Sequence, residues 1–216
     1  MRTTLPSGTP AELVRVEGAD HGLVVMTDIG GLRPLFDDHV ARLAAEQRWS
    51  VCAPEPFPGR QDMSLEERLA AVATLEDERV LGDAVAAADA TGCEHVGVLG
   101  FCMGGMFTLK AAGTGRFDRA VAFYGMIHIP EQWRSATLGE PLDAVTSPAA
   151  CPVLAIIGTA DQWTPPAHVA ELEAAGATVV RYEDREHGFV HDPSRPVHDA
   201  EAAADAWSRA LSFLSA

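Results

Sequence analysis

One segment, from Val96 to Gly105, constrains the fold of this chain more than any other. Its first residues, Val96–Leu99, form an apolar run with two valines, which is typical of a short buried strand. Gly-Phe-Cys-Met-Gly-Gly follows at 100–105, and the residues after it have helical composition. The segment thus predicts a strand, a tight turn with Cys102 at its tip, and a helix, in this order. This arrangement is typical of a nucleophile elbow, in which glycines let the strand and the helix pass close together.

Cys102 has two interpretations at this point. At the start of a helix, free backbone N–H groups and the helix dipole favour a thiolate and can hold an oxyanion. Alternatively, Cys102 is an apolar core thiol beside a glycine-rich turn, because free cysteines are often simply buried. The hexapeptide leaves both open, so the decision depends on partners further along the chain.

Composition limits the classes of protein to consider. A length of 216 residues fits one domain spanning 1–216, and 47% hydrophobic with 22% charged residues is typical of a soluble globular protein. A net charge of −15 argues against nucleic acid or an anionic membrane as partner. The N-terminus lacks the apolar core of a signal peptide, and the four cysteines show no zinc-binding spacing. We therefore expect a cytoplasmic protein with free thiols.

Predicted strands alternate with predicted helices along the whole chain. The strands are expected at 13–16, 22–27, 49–53, the elbow strand, 120–124, 153–157 and 178–182. The helices are expected at 35–47, 64–90 with a break near Gly82, the elbow helix, 165–175 and 200–214, and residues 1–11 and 127–150 are expected to be loops. Because the strands are continuous apolar runs, the sequence predicts an α/β fold with a mostly parallel sheet and helices on both faces.

Three residues fall where nucleophilic catalysis would need them. Such catalysis requires a nucleophile, a base and a group that orients the base. Cys102, Asp161 and His187 each follow a different predicted strand, in the chain order nucleophile, acid, histidine. Asp161 alone could cap the helix after it, and His187 alone could be an incidental loop residue. The three together favour a catalytic constellation.

A metal site is not expected. His187 and His191 are four residues apart, as a zinc pair on a helix would be, but Gly188 and Pro193 argue against a helix there.

Four motifs resemble those of the dienelactone hydrolase family of α/β-hydrolases, over about residues 22–214. They are Gly-Phe-Cys-Met-Gly-Gly at 100–105, Phe-Tyr-Gly at 123–125, Gly-Thr-Ala-Asp at 158–161 and His-Gly-Phe at 187–189. The resemblance implies an α/β-hydrolase fold, no cofactor, and a small-molecule ester or lactone as substrate. It also implies Cys102 as nucleophile, His187 as base and Asp161 as its orienting acid, with the backbone N–H groups of Met103 and Ile29 as oxyanion hole.

The resemblance also implies residues around the nucleophile. The family places a glutamate after the first strong strand, where it helps to activate the thiol, and Asp28 stands there in this chain. Asp28 could instead be only a turn residue. The family holds its substrate carboxylate with arginines, one of them four residues after the catalytic histidine, where this chain has His191. We name Arg33, Tyr124 and His191 as candidate substrate-binding residues, with specificity expected from the 54–63 and 127–150 loops.

Two functions remain under consideration. The leading one is hydrolysis of a small ester or lactone through an acyl-cysteine on Cys102. The alternative is a non-catalytic protein on the same fold that binds a ligand or traps electrophiles with its thiol. The sequence is compatible with a monomer or a small homo-oligomer, since no heptad pattern stands out.

Overall fold

A computed structural model describes all 216 residues, and its centre is an eight-stranded sheet. The strands are β1 (Arg2–Thr4), β2 (Pro10–Val14), β3 (His21–Met26), β4 (Ser50–Pro54), β5 (His95–Phe101), β6 (Arg119–Phe123), β7 (Val153–Gly158) and β8 (Thr178–Tyr182). Their order across the sheet is β1-β2-β4-β3-β5-β6-β7-β8. The strands from β4 onward in this order are parallel, and β2 pairs antiparallel with both β1 and β4. The predicted α/β-hydrolase fold is confirmed.

Seven α-helices pack around this sheet. They are α1 (Pro34–Gln47), α2 (Leu65–Ala71), α3 (Asp77–Thr91), α4 (Met103–Ala112), α5 (Pro141–Val145), α6 (Pro166–Ala174) and α7 (Ala200–Leu214). Residues of α1 and α7 contribute to the apolar core on one face, and residues of α3, α4, α5 and α6 to the core on the other. Both faces of the strands are therefore buried, which explains their continuous apolar sequence. None of the helices is long and apolar enough to cross a membrane.

Three local predictions were wrong. The 127–150 segment is not all loop, because it contains α5. Residues 1–11 are not all loop, because β1 and the start of β2 form an antiparallel pair there. The 64–90 segment does break, but at Leu75, whose backbone is extended, while Gly82 lies inside α3. A capping box joins Ser64 and Glu67 at the start of α2. That box fixes a short separate helix, a signal that the alanine- and glutamate-rich composition conceals.

The turn between β5 and α4 depends on backbone contacts that only glycine allows. A Cβ atom on Gly104 would lie 2.2 Å from the carbonyl oxygens of Met26 and Thr27, at the end of β3. A Cβ on Gly105 would lie 2.8 Å from the Phe123 carbonyl oxygen, at the end of β6. The first turn of α4 therefore packs between the ends of β3 and β6, the two strands on either side of β5. This contact fixes the position of Cys102, the residue just before α4.

We expect Gly104→Ala to destabilise the protein by about 3 kcal/mol or more, because the new methyl group meets main chain that cannot move aside. The measurement is the free energy of unfolding in urea. Gly82→Ala is the matched control, since a Cβ at this exposed position in α3 meets nothing within 4 Å. That variant should gain about 0.5–1 kcal/mol, because alanine is the better helix former. Equal stability of the two variants would contradict this account of the turn.

Candidate active site

Cys102 occupies a strained backbone conformation at the tip of the turn. Its φ is 57° and its ψ is −120°, outside the regions that a residue with a side chain prefers. The Cys102 N–H donates to the Phe123 carbonyl oxygen at 3.1 Å, which ties the strained residue to the end of β6. The side chain is half-buried. The elbow predicted from the sequence is present, and such strain is typical of functional positions.

Asp161 and His187 form a hydrogen-bonded pair at the same edge of the sheet. Asp161 follows β7, His187 follows β8, and their Oδ2 and Nδ1 atoms are 2.8 Å apart. The other carboxylate oxygen of Asp161 accepts the N–H of Trp163 at 2.8 Å. The N-cap of α6 is Pro165, so the alternative that Asp161 caps this helix is excluded.

The environment of His187 favours its protonated form. Burial alone would lower its pKa, but the hydrogen bond with Asp161 and the interaction with Cys102 outweigh burial and raise the pKa to about 10. Nδ1 faces the Asp161 carboxylate, and the buried Nε2 has no other hydrogen-bond partner. A charged imidazolium at neutral pH would stabilise a thiolate on Cys102.

The two expected oxyanion donors are available. The N–H groups of Met103, the first residue of α4, and of Ile29, in the loop after β3, have no acceptor in the protein. Both follow strands that are neighbours in the sheet, β5 and β3. A helix N-terminus and a second loop N–H are the kind of donors that hold a developing oxyanion.

Asp28 lies in this loop, and both oxygens of its carboxylate are hydrogen-bonded to neighbouring groups. One oxygen accepts the N–H of Gly30, and the other bonds Nε2 of His191, both at 2.8 Å. The Arg33 guanidinium donates to both oxygens. Burial would raise the pKa of Asp28, but the hydrogen bonds from His191 and Arg33 hold it far below its ordinary value. A role of Asp28 in activating the thiol stays a prediction, and its hydrogen bonds in the structure go to Gly30, Arg33 and His191.

The three candidate substrate-binding residues are bonded to one another or to Asp28. His191 is buried and bonds Asp28 through Nε2, while its Nδ1 accepts the hydroxyl of Tyr124. Tyr124 is also fully buried, and Arg33 pairs with Asp28. Burial keeps the pKa of His191 below its ordinary value and the residue neutral. Their polar groups hold these loops together, and their assignment to substrate binding stays a prediction from the sequence.

Two supporting residues were missed by the sequence analysis. Glu55, after β4, is buried and accepts the N–H groups of Leu32 and Phe57 at 2.8 and 2.9 Å, which fastens the Asp28 loop to the loop after β4. His39 donates from Nε2 to the carbonyl oxygen of His191 at 2.8 Å, and burial lowers its pKa to about 4. The sequence signal that could have pointed to Glu55 is its position, as a carboxylate inside the proline-rich 54–59 stretch.

A further missed residue, Arg195, lies beside His187. The two side chains line one cavity of about 430 Å³. The Arg195 guanidinium packs over Gly188, the residue after His187. Its side chain makes no hydrogen bond or ion pair, unlike Arg33, so Arg195 is the free cation nearest to the catalytic candidates. An anionic group of a bound ligand would find its partner here.

We expect Asp28 to contribute to stability in a pH-dependent way. Its folded-state pKa is below the ordinary 3.8, so its contribution is complete above about pH 5 and is lost as the pH falls toward the folded-state pKa. Asp28→Asn should lower the free energy of unfolding by about 2 kcal/mol at pH 7. In this variant the free energy of unfolding should also decrease less steeply as the pH falls below about 5. Asp143→Asn, at an exposed position in α5, should change neither. If the free energy of unfolding fell with decreasing pH in the same way in the wild type and in Asp28→Asn, the proposed contribution of Asp28 to the buried network would be contradicted.

Comparisons with known proteins agree with this architecture. The model of the dienelactone hydrolase family matches residues 10–216. The carboxymethylenebutenolidase of Rhodococcus opacus is 28% identical over 223 residues, which cover 91% of this chain and 81% of the relative. A Methylorubrum extorquens protein provisionally named a carboxymethylenebutenolidase is 32% identical over 206 residues, covering 87% of this chain and 69% of the relative.

A solved structure gives the same result for the fold. A Klebsiella pneumoniae protein, provisionally described as a dienelactone hydrolase, superposes with a TM-score of 0.84 at 27% identity, covering all of this chain and 97% of the other. The family match spans nearly the whole sequence. The chain therefore belongs to the dienelactone hydrolase family of α/β-hydrolases.

Proposed function

We propose that this protein hydrolyses a small ester or lactone through an acyl-cysteine intermediate on Cys102, with His187 and Asp161 completing the catalytic triad. The observation that carries the proposal is the Asp161–His187 pair, 2.8 Å apart, beside a cysteine held in a strained turn at a helix N-terminus. Two unpartnered backbone N–H groups supply the oxyanion site. The relatives' names add support, since carboxymethylenebutenolidases are named for a lactone.

Acylation begins as Nε2 of His187 takes the proton of the Cys102 thiol, and the raised pKa of His187, about 10, favours this transfer. The Cys102 sulfur bonds to the carbonyl carbon, and the N–H groups of Met103 and Ile29 stabilise the oxyanion. The C–O bond to the leaving group then breaks as Nε2–H of His187 donates its proton to the leaving oxygen.

Deacylation uses the histidine that acylation left neutral. His187 accepts a proton from water, the resulting hydroxide bonds to the thioester carbon, and the second tetrahedral intermediate expels the Cys102 thiolate. His187 then returns this proton to the Cys102 thiolate, which restores the starting state. Asp161 holds the tautomer and orientation of the imidazole throughout. Because this chemistry needs a reduced thiol, we place the protein in a reducing compartment, and the sequence predicts the cytoplasm.

The test is burst-phase kinetics with p-nitrophenyl acetate. Wild-type protein should release a burst of about one equivalent of nitrophenol per site, followed by steady turnover. Cys102→Ala should abolish both phases, and His187→Ala should reduce the burst rate at least about a hundredfold, because a general acid and base is lost. Asp161→Asn should reduce it as well, because the histidine loses its orienting partner.

Three results would count against the proposal. Undiminished turnover by Cys102→Ala would remove the cysteine from the mechanism. A burst without later turnover would favour the alternative function, a thiol that traps electrophiles. Cys93→Ala serves as the control for loss of a half-buried thiol away from the site, and a comparable loss of activity in it would mean that the Cys102 effect is not specific.

A further inference from the structure

Two cavities meet at Trp163. The first, of about 430 Å³, borders His187 and Arg195. The second, of about 520 Å³, lies toward the loop after β6 and is lined by His128, Ile129, Pro130 and His168 among others. Gln162 and Trp163 are the residues that line both. Since Gln162 is exposed and Trp163 half-buried, the indole is the more firmly held part of the wall between them.

Trp163 is anchored on two sides. Its backbone N–H donates to the Asp161 carboxylate, so its main chain has a fixed position relative to the triad acid. Its ring stacks on that of Trp133, with centroids 5.7 Å apart and planes within 11°. Trp133 is itself buried in the core. A ring held in this way is a rigid wall rather than a mobile surface side chain.

The chemistry assigns a role to the first cavity. In the proposed mechanism His187 donates its proton to the leaving oxygen, so the leaving group must lie beside the His187 ring. The centroid of the Trp163 ring is 6.3 Å from the centroid of that ring. The indole therefore forms part of the wall of the cavity that His187 also lines. The volume on the His187 side is within the range of sites that hold one small ligand.

We infer that Trp163 determines leaving-group specificity by confining the alcohol or enol part of the substrate to the cavity beside His187. This inference rests on the proposed hydrolase function. Removing the indole joins that cavity to the second one, which then accepts the far end of a larger leaving group. The second cavity is thus a latent subsite for the far ring of a larger leaving group, and its wall combines Ile129 and Pro130 with polar side chains such as those of His128, Glu131 and His168.

The test compares two acetate esters that differ only in the leaving group, p-nitrophenyl acetate with one ring and 4-methylumbelliferyl acetate with two. For each variant we would measure kcat/KM on both esters and form the two-ring to one-ring ratio. Trp163→Ala should raise this ratio at least about tenfold, which is the scale of discrimination that pocket contacts supply. Trp163→Phe, which keeps a smaller ring, should raise it less.

The matched control is Trp207→Ala. Trp207 is a half-buried indole on α7 that also contacts an aromatic ring, Phe123, but it lines neither cavity. Its loss should leave the ratio unchanged. If Trp163→Ala fails to fold, Trp163→Phe decides, because any enlargement of the cavity must still raise the ratio.

The outcomes separate this inference from the proposed function. Normal wild-type turnover with an unchanged ratio in both Trp163 variants would overturn the inference alone. An equal rise of the two-ring to one-ring ratio in Trp207→Ala would also overturn the inference, because the effect would then reflect a general loosening of the structure. Wild-type protein without a Cys102-dependent burst on p-nitrophenyl acetate would overturn the proposed function and the inference with it.

Discussion

The contact between the first turn of α4 and the ends of β3 and β6 is the constraint on which the rest of the site depends. Gly104 and Gly105 bring helix backbone against strand backbone, and no side chain fits between them. The turn that results places Cys102 in a conformation with φ of 57° and leaves the Met103 N–H without an acceptor. The positions of the proposed nucleophile and of one proposed oxyanion donor therefore follow from one steric fact, before any polar interaction is considered.

The polar interactions divide into two Asp–His pairs with opposite consequences. Burial acts to lower the pKa of both His187 and His191. For His187 the pairing with Asp161 and Cys102 outweighs burial, so this histidine is charged beside the thiol. For His191 burial outweighs the pairing with Asp28, so this histidine is neutral and bridges loops. Two histidines that are four residues apart in one loop therefore differ in their chemistry. His187 is suited to proton transfer, and His191 positions its neighbours.

The sequence predicts the fold well, because apolar strand runs and the glycine-rich turn mark the sheet. Chain order marks Cys102, Asp161 and His187 as candidates, and the structure brings Asp161 and His187 within hydrogen-bond distance. The sequence does not show which side chains meet across loops. Asp28, Arg33, Tyr124 and His191 each match a functional expectation, yet in the structure they are bonded among themselves. Trp163 and Arg195 carry no motif, and only their position beside His187 makes them relevant.

The central claim is that Cys102 becomes covalently acylated during turnover. The direct measurement is mass spectrometry of protein quenched with acid while it is turning over p-nitrophenyl acetate, followed by peptide mapping. The account predicts an added acetyl group on the peptide that contains Cys102, which disappears once the ester is exhausted and which Cys102→Ala never shows. Steady turnover with no adduct on that peptide, or an adduct on another nucleophile, would contradict the account.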